Sequence, residues 1–250
     1  QRLERLGGRV HDERALGKEC NRGAAMKRLH VTAEGQTEES FVNQTLKQYL
    51  AQYGVYVDVR CVLTGRRRCR EFRGGITNYA RAKYDIMRWL KEEQHNTDVA
   101  FTTMFDYFAL PDDFPGYVAA RKEQDSYAKV AVIEEAFAED IDDPRFIPYI
   151  QLHEFEALLF AEPQKFEIEY FDRPEGIKQL CRIAAEFGNP ELINHGIKTA
   201  PSKRIIEIYS DYEGNKPAIG SMIAHEIGIE TLKRACAHFN EWIGKLEMLK

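Results

Sequence analysis

The chain lacks the patterns that assign many proteins to a class at sight. Its five cysteines include no CxxC pair, so neither a zinc ribbon nor a disulfide framework is indicated. No GxxxxGKS or GxxxxGKT phosphate loop occurs, which excludes a P-loop ATPase. No apolar run approaches the roughly 20 residues that cross a bilayer, and no segment has a signal peptide's pattern. We therefore expect a cytoplasmic protein without a membrane partner.

Positively charged residues are also fewer than negatively charged ones. The formal net charge is −5, with 35 Lys and Arg against 40 Asp and Glu. An acidic chain binds nucleic acid only through local basic patches or bound metal ions. The hydrophobic share of 44% is ordinary for a globular protein, and 250 residues suffice for an α/β domain with a smaller helical appendage.

The sequence divides into three parts by composition. Residues 1–25 are rich in Arg, Glu and Gly and have no useful periodicity, so we expect a flexible extension. Two origins stay open for it: a segment that is not native and ends before Met26, or a native arm whose arginines touch nucleic acid. We expect residues 26–165 to form an α/β core and residues 166–250 to form a helical C-terminal portion packed on that core.

Apolar periodicity predicts an alternating series of strands and helices. Such alternation is typical of a parallel sheet flanked by helices. We expect strands at residues 29–33, 55–61, 98–105 and 146–152, with a loop at 64–75. We expect helices at residues 39–53, 76–90, 127–137, 153–160, 174–187, 201–210, 217–227 and 229–248.

The most informative stretch is Glu34-Gly35-Gln36-Thr37-Glu38, which lies between the first predicted strand and the first predicted helix. Gly35 permits a sharp turn at this point. The carboxyl ends of strands border the ligand crevice of an α/β sheet. Glu34 is expected at the rim of that crevice and Glu38 in the first helical turn, so the two carboxylates are placed to share one site.

Acids follow two further predicted strands. Asp106 comes after the third strand, and Glu154 and Glu156 come after the fourth. In a parallel sheet these strand ends lie on one edge, where gathered carboxylates repel each other unless a cation neutralises them. Mg²⁺ and Mn²⁺ prefer such oxygen ligands. The sequence therefore predicts a Mg²⁺ or Mn²⁺ site formed by Glu34, Glu38, Asp106, Glu154 and Glu156.

Each acid also has a simpler interpretation. Glu34 and Glu38 alone are more often a solvated helix start, because acids in a first turn interact favourably with the helix dipole. Asp106 alone is typical of a turn that ends a strand, and Glu154 with Glu156 of a charged helix N-terminus. The recurrence of acids after several strands favours the shared site.

Several motifs together resemble a known group of enzymes. The Glu-Gly-x-Thr-Glu turn, followed later by an acid that ends another strand, resembles the Toprim domain of topoisomerases, primases and OLD (overcoming lysogenization defect) nucleases. Three runs resemble more closely an uncharacterised bacterial Toprim-like family related to OLD-type and RloB-like nucleases. They are Met104-Phe105-Asp106-Tyr107 with Leu110-Pro111, His153-Glu154-Phe155-Glu156-Ala157-Leu158-Leu159-Phe160, and Ala200-Pro201-Ser202-Lys203-Arg204. The resemblance covers about residues 26–242.

The resemblance implies a nuclease whose metal ligands match Glu34, Glu38 and Asp106, with Glu156 matching the acid of the relatives' Phe-Glu motif. The chain departs from the Toprim pattern at the third strand, where Asp106-Tyr107-Phe108 replaces Asp-x-Asp. A second ligand has to come from elsewhere. The candidates for it are Asp112, Asp113, Glu154 and Glu156.

Cationic side chains are expected to contact the phosphate. Lys203 matches the relatives' Pro-Ser-Lys-Arg segment and is the first candidate for stabilising the developing phosphoryl charge, with Lys216 as the second. Tyr107 and Phe108 could stack on an unpaired base. The predicted loop at 64–75 contains arginines that would contact the phosphates of a strand. These are Arg66, Arg67, Arg68, Arg70 and Arg73.

We therefore expect a metal-dependent nuclease that hydrolyses phosphodiester bonds of DNA or RNA. The resemblance also implies an ATPase partner and a role in bacterial defence against phage or plasmids. The rival hypothesis is a non-catalytic Toprim-like scaffold that docks an ATPase and uses its acids structurally. A primase-like nucleotidyl transferase, which would release pyrophosphate, stays open as well, as does assembly into a homo-oligomer.

Overall fold

A computed structural model describes residues 26–67, 70–73, 75–193 and 199–249, with only the backbone of 63–67 and 70–73. Five strands of this part form a parallel sheet in the order β2-β1-β5-β6, with β7 continuing beside β5. Two further strands, β3 and β4, form an antiparallel pair. The strands are β1 (Lys27–Ala33), β2 (Val55–Cys61), β3 (Leu63–Arg67), β4 (Arg70–Arg73), β5 (Val99–Asp106), β6 (Phe146–Ile147) and β7 (Ile150–Gln151).

Helices surround the sheet and make up the C-terminal portion. The α-helices are α1 (Gln36–Phe41), α2 (Lys47–Ala51), α3 (Tyr79–Glu92), α4 (Tyr117–Ala120), α5 (Ser126–Ile141), α6 (Glu167–Tyr170), α7 (Pro174–Phe187), α8 (Pro201–Ile208), α9 (Tyr212–Ile227), α10 (Ile229–Ala235) and α11 (Ala237–Glu247). A π-helical segment, Val42–Leu46, joins α1 to α2. Short 3-10 helices occupy Tyr107–Ala109, Phe155–Ala161, Pro163–Phe166 and Pro190–Leu192. The predicted α/β fold with a helical C-terminal portion is confirmed.

Each face of the sheet contributes to a separate apolar core. Along β5, Phe101 and Phe105 pack with α3 and α5, whereas Ala100 and Met104 pack with α1 and the C-terminal helices. This alternation follows from the two-residue repeat of a strand. Trp242 of α11 lies over the sheet and donates a hydrogen bond from Nε1 to Thr102 Oγ1 at 2.9 Å. The C-terminal helices are thus packed on the sheet, while a boundary at residue 165 stays a prediction.

The register of the central strands aligns their carboxyl ends. Ala33 of β1 lies opposite Cys61 of β2 and Met104 of β5. Whatever follows β1 and β5 in the chain is therefore delivered to the same edge of the sheet. We call this the acidic edge, because Glu34, Glu38, Asp106, Glu154 and Glu156 are the residues it brings near one another.

The predicted loop at 64–75 is wrong, because residues 63–73 contain the antiparallel pair β3 and β4. The prediction rested on composition, which does not report backbone hydrogen bonding between two segments. The predicted strand at 146–152 is divided into β6 and β7, which pair with β5 on either side of Pro148. Proline has no N–H to donate, so it interrupts a strand or lies at a sheet edge.

Two predicted helices also have different limits. The helix predicted at 229–248 is broken at Cys236, whose backbone is extended (φ −124°, ψ 101°). Leu232, Cys236 and Phe239 stay fully buried across the break, which is why the sequence periodicity continues through it. The helix predicted at 153–160 is a 3-10 helix that begins at Phe155, so Glu154 precedes it in an extended conformation.

Within the described residues, no helix combines the length and apolar character needed to cross a membrane.

Candidate metal centre at the acidic edge

The turn after β1 folds its second carboxylate back onto the backbone. Glu38 Oε2 accepts a hydrogen bond from the Gly35 N–H at 2.9 Å, and the Glu38 side chain is buried. It is therefore not the solvated acid of an ordinary helix start. Contrary to the sequence prediction, the turn does not require glycine at position 35, because the extended angles of Gly35 (φ −146°, ψ −169°) are available to any residue.

Glu34 links the ends of the two central strands. Its Oε2 accepts the backbone N–H of Asp106 at 2.9 Å, and its own N–H donates to the Met104 carbonyl at 3.0 Å. The Asp106 carboxylate is less well satisfied, because Oδ1 is shielded from solvent and has no hydrogen-bond partner among the described residues. A buried carboxylate oxygen in this state carries a desolvation penalty that a cation would remove.

The two acids after β7 have different partners. Glu154 Oε2 accepts the backbone N–H of Ser202 at 2.9 Å, at the start of α8. Glu156 is buried, and its Oε1 lies 3.2 Å from Lys216 Nζ and 3.5 Å from the Tyr212 hydroxyl. Lys216 is thus the cation that the structure brings to the acidic edge.

Burial and mutual repulsion raise the pKa values of these acids. The pKa of Glu34 is raised to about 8, first by burial and then by the charge of Glu38. The pKa of Glu38 is raised to about 7, again chiefly by burial, with a contribution from Glu156. Burial followed by the charges of Glu38 and Glu34 holds the pKa of Asp106 well above its usual range, and burial raises that of Glu156. Near neutral pH the acidic edge therefore needs protons or a cation.

The donor atoms are not yet gathered as ligands. Within the part of the chain described, no group of three or more His, Cys, Asp or Glu side chains is arranged so that it could hold a metal ion as it stands. The oxygen donors, the raised pKa values and the Asp106 Oδ1, which no described residue contacts by a hydrogen bond, fit the chemistry of a hard dication. The side chains would have to turn toward the ion to complete its coordination.

The other candidate residues lie apart from this group or serve other contacts. The Lys203 side chain is 52% exposed, and its nearest acid is Glu213 at 3.9 Å. Asp113 accepts the Tyr79 N–H through both oxygens, at 3.1 and 3.2 Å, and so caps α3 instead of supplying a ligand. Tyr107 and Phe108 are half-buried just after Asp106, with ring centroids 5.9 Å apart.

The arginine prediction falls largely outside the described residues. Arg68 is not described, and the side chains of the other four arginines are not described either. The backbone places Arg66 and Arg67 on β3, and Arg70 and Arg73 on β4. Their phosphate contacts stay a prediction.

Lys216 was a candidate from the sequence, but the row on α9 to which it belongs was not predicted. Tyr212, Lys216 and Gly220 are spaced by four residues and share one helix face. A Cβ on Gly220 would come within 2.8 Å of the Tyr212 hydroxyl, so the missing side chain leaves room for that hydroxyl, whereas Thr37 Cγ2 of α1, at 3.6 Å, would be at ordinary contact distance. The four-residue spacing was visible in the sequence, but nothing local pointed it at Glu156.

Comparison with known protein families assigns this chain to a family. Residues 33–247 match the family described as "Domain of unknown function (DUF4276)", and the chain belongs to that family. No curated protein and no solved structure matches the chain.

Proposed function

We propose that the protein is a Mg²⁺- or Mn²⁺-dependent nuclease that hydrolyses phosphodiester bonds of DNA or RNA. The observation that carries the proposal is the buried Oδ1 of Asp106, which has no partner among the described residues and lies beside the carboxylates of Glu34, Glu38 and Glu156. A protein that uses such acids only structurally satisfies them with hydrogen bonds. An unsatisfied group at the ligand-binding edge of a parallel sheet is what a cation site requires.

Glu34, Glu38 and Asp106 would hold the ion. An ion bound there supplies a Lewis acid that lowers the pKa of a water molecule and neutralises charge on a phosphoryl oxygen. Hydrogen bonds from the backbone N–H groups of Asp106 and Gly35 fix one oxygen each of Glu34 and Glu38. These bonds orient the two carboxylates before any ligand arrives, which reduces the cost of assembling the site.

Lys216 supplies positive charge beside Glu156. Its Nζ is anchored at Glu156, and the side chain is 30% exposed, so an anionic phosphate can reach it. Stabilisation of developing negative charge by a fixed cation is a large term in phosphoryl chemistry. The Lys203 side chain is more exposed, so it fits a contact with a phosphate farther along the nucleic acid strand. Glu154, held by the N-terminus of α8, fits a supporting role.

The remaining parts of the proposal rest on the Toprim-like resemblance and the sequence. They are nucleic acid as the substrate, phosphate contacts from the arginines of β3 and β4, an ATPase partner, and a cytoplasmic role in defence against phage or plasmids. Base stacking by Tyr107 and Phe108 is supported by their position directly after Asp106.

The test incubates the full chain with labelled single-stranded DNA, duplex DNA and structured RNA, each with Mg²⁺, Mn²⁺ or EDTA. We expect metal-dependent cleavage of at least one substrate and a loss of about 100-fold or more in Glu34→Ala and Asp106→Ala. Glu186→Ala, which changes an exposed acid on α7, serves as the control and should cleave as the native protein does. Cleavage that survives EDTA or both site variants contradicts the proposal.

A second candidate function is a non-catalytic scaffold that docks an ATPase. The absence of a preformed metal group among the described residues favours it. A scaffold would cut none of the three substrates and would not bind Mn²⁺ at the acidic edge. Binding of Mn²⁺ that is lost in Asp106→Asn counts against this candidate even if the right substrate has not been tried.

A further inference from the structure

We infer that the acidic edge takes a single divalent ion and that the ammonium group of Lys216 occupies the place of a second cation. This inference rests on the proposed function and specifies the number of ions at that same site. Three observations carry it. They are the carboxylate oxygens that already accept hydrogen bonds or ion pairs, the groups that contact these oxygens, and the packing of the helix that holds the lysine.

The engaged oxygens divide the acidic edge into two halves. In one half, Glu34 and Glu38 each engage one oxygen with a backbone N–H, and Asp106 keeps a buried Oδ1 without a partner in the described part of the chain. In the other half, Glu156 meets Lys216 and Tyr212, and Glu154 meets the backbone N–H of Ser202. Among the residues that the structure describes, only the first half shows a buried oxygen without a partner for an ion to satisfy.

The lysine contact with Glu156 is made inside the protein. Lys216 Nζ lies 3.2 Å from Glu156 Oε1, and the Glu156 side chain is only 6% exposed. An ion pair of this kind is costly to break, because one buried charge is left uncompensated. It differs from a surface pair such as Lys178 with Glu175, whose side chains are 62% and 73% exposed and whose contribution to stability is small.

The helix that carries Lys216 is fixed by the residues one turn away on either side. Tyr212, fully buried, directs its hydroxyl to the same Glu156 oxygen at 3.5 Å. Gly220 leaves room for this hydroxyl, because a Cβ there would come within 2.8 Å of it. The lysine is therefore placed by a packed helix face, and its ammonium is as much a part of the acidic edge as the carboxylates are.

A second dication at Glu156 would lie beside this ammonium and be repelled by it. If the dication displaced Lys216 from Oε1, the lysine would lose its buried partner. One divalent ion with Glu34, Glu38 and Asp106, together with Lys216 at Glu156, places positive charge beside four of the five carboxylates, and Glu154 keeps its hydrogen bond from the Ser202 N–H. The arrangement thus provides two centres of positive charge with one metal ion.

The experiment counts bound Mn²⁺ on the full chain, by calorimetric titration and by electron paramagnetic resonance of the free ion. We expect one tight site in the native protein. Lys216→Met keeps the length of the side chain but removes its charge, so we expect it to admit a second Mn²⁺ at Glu156. Lys178→Met, the exposed counterpart on α7, should keep one site. Glu156→Gln should also keep one, since the first ion does not depend on Glu156.

The outcomes separate this inference from the proposed function. Two tight sites in the native protein overturn the single-ion inference and leave the nuclease proposal standing. One site in both the native protein and folded Lys216→Met overturns the inference as well, and so does loss of the native site in Glu156→Gln. No tight site in the native protein overturns the proposed metal-dependent function itself. If Lys216→Met fails to fold, as judged by circular dichroism, the native and Glu156→Gln counts still decide.

Discussion

In the described part of the chain, carboxylates are buried at Glu191 and at the acidic edge, and they are satisfied in different ways. Glu191 is fully buried, and its two oxygens accept the backbone N–H groups of His238 and Phe239, at 3.1 and 2.9 Å, at the start of α11. The Tyr127 hydroxyl donates to it as well, at 3.0 Å. A carboxylate at a helix N-terminus with three donors is a stabilising arrangement.

The acidic edge has more charge and fewer donors. Each of Glu34 and Glu38 receives one backbone N–H, and Asp106 Oδ1 has no partner among the residues described. The difference distinguishes a buried acid that holds the fold together from buried acids that retain capacity for a cation. Burial alone is common to both and does not make the distinction.

The largest expected effect is on the pH dependence of stability without metal. The pKa values of Glu34 and Glu38 are raised from 4.5 to about 8 and about 7. Between these pH values the native state keeps protons that the unfolded chain has released. The contribution of the two groups to the free energy of unfolding is therefore complete below about pH 4.5 and is lost as pH rises through 7 and 8. In EDTA, the native protein should lose several kcal/mol of unfolding free energy between pH 5 and 8 relative to Glu34→Gln/Glu38→Gln.

Urea denaturation at each pH measures this difference. The double variant is the control because His30 and His153, whose pKa values are lowered by burial, titrate equally in both proteins. Parallel pH profiles of the two proteins would show that the acids are solvated and would remove the contrast with Glu191.

The next effect concerns Glu191. Glu191→Ala leaves two buried N–H groups at the start of α11 and the Tyr127 hydroxyl without their acceptor. We expect the free energy of unfolding to fall by about 3 kcal/mol, measured by urea denaturation. Glu186→Ala, an exposed acid on α7, should change it by less than about 0.5 kcal/mol. Equal effects of the two substitutions would contradict a structural role for Glu191.

Bound Mn²⁺ should stabilise the fold through the acidic edge. At 100 times the dissociation constant, a single site raises the free energy of unfolding by about 2.7 kcal/mol. Differential scanning fluorimetry at pH 7.5 should show a rise in Tm that Asp106→Asn abolishes and Glu186→Gln retains. The rise should shrink at pH 6, because the ion then competes with the protons of Glu34 and Glu38. A rise that persists in Asp106→Asn would place the ion elsewhere.

The smallest expected effect is that of Asp106→Asn on the free energy of unfolding, and its sign is opposite to that of Glu191→Ala. Asp106→Asn removes a buried charge from among like charges, so in EDTA at pH 8 we expect the free energy of unfolding to increase by about 1 kcal/mol. Chemical denaturation checks it against the native protein. Destabilisation comparable to that of Glu191→Ala would mean that Asp106 is a structural acid, and the two regions would no longer differ in kind.

The sequence allowed the sheet to be predicted well because the relevant signals are local. The apolar run of β5 and the alternation of β2 place both strands within a residue or two of their limits. The β3 and β4 pair and the break at Cys236 were missed, since pairing between segments and the interruption of a continuing apolar stripe leave no local signal. The π-helical segment Val42–Leu46 within the first predicted helix was missed for the same reason.

The candidate site was predicted in part for the same reason. Glu34 and Asp106 could be placed together because parallel strands end at one edge, and the structure joins them through a hydrogen bond. Asp113 and Lys203 could not be separated from the group by sequence, since a helix cap and a surface pair look the same as a site residue along the chain.

The sequence by itself determined the alternation of the central strands and helices and the acids that follow β1 and β5, because periodicity and strand-end position are properties of neighbouring residues. The tertiary structure alone decided which acids are satisfied. Glu156 meets Lys216 and Tyr212 from 56 or more residues away, and Glu191 meets α11 from 47. The free energy of a buried carboxylate depends on those distant donors, so its role in this protein is fixed only when the chain has folded.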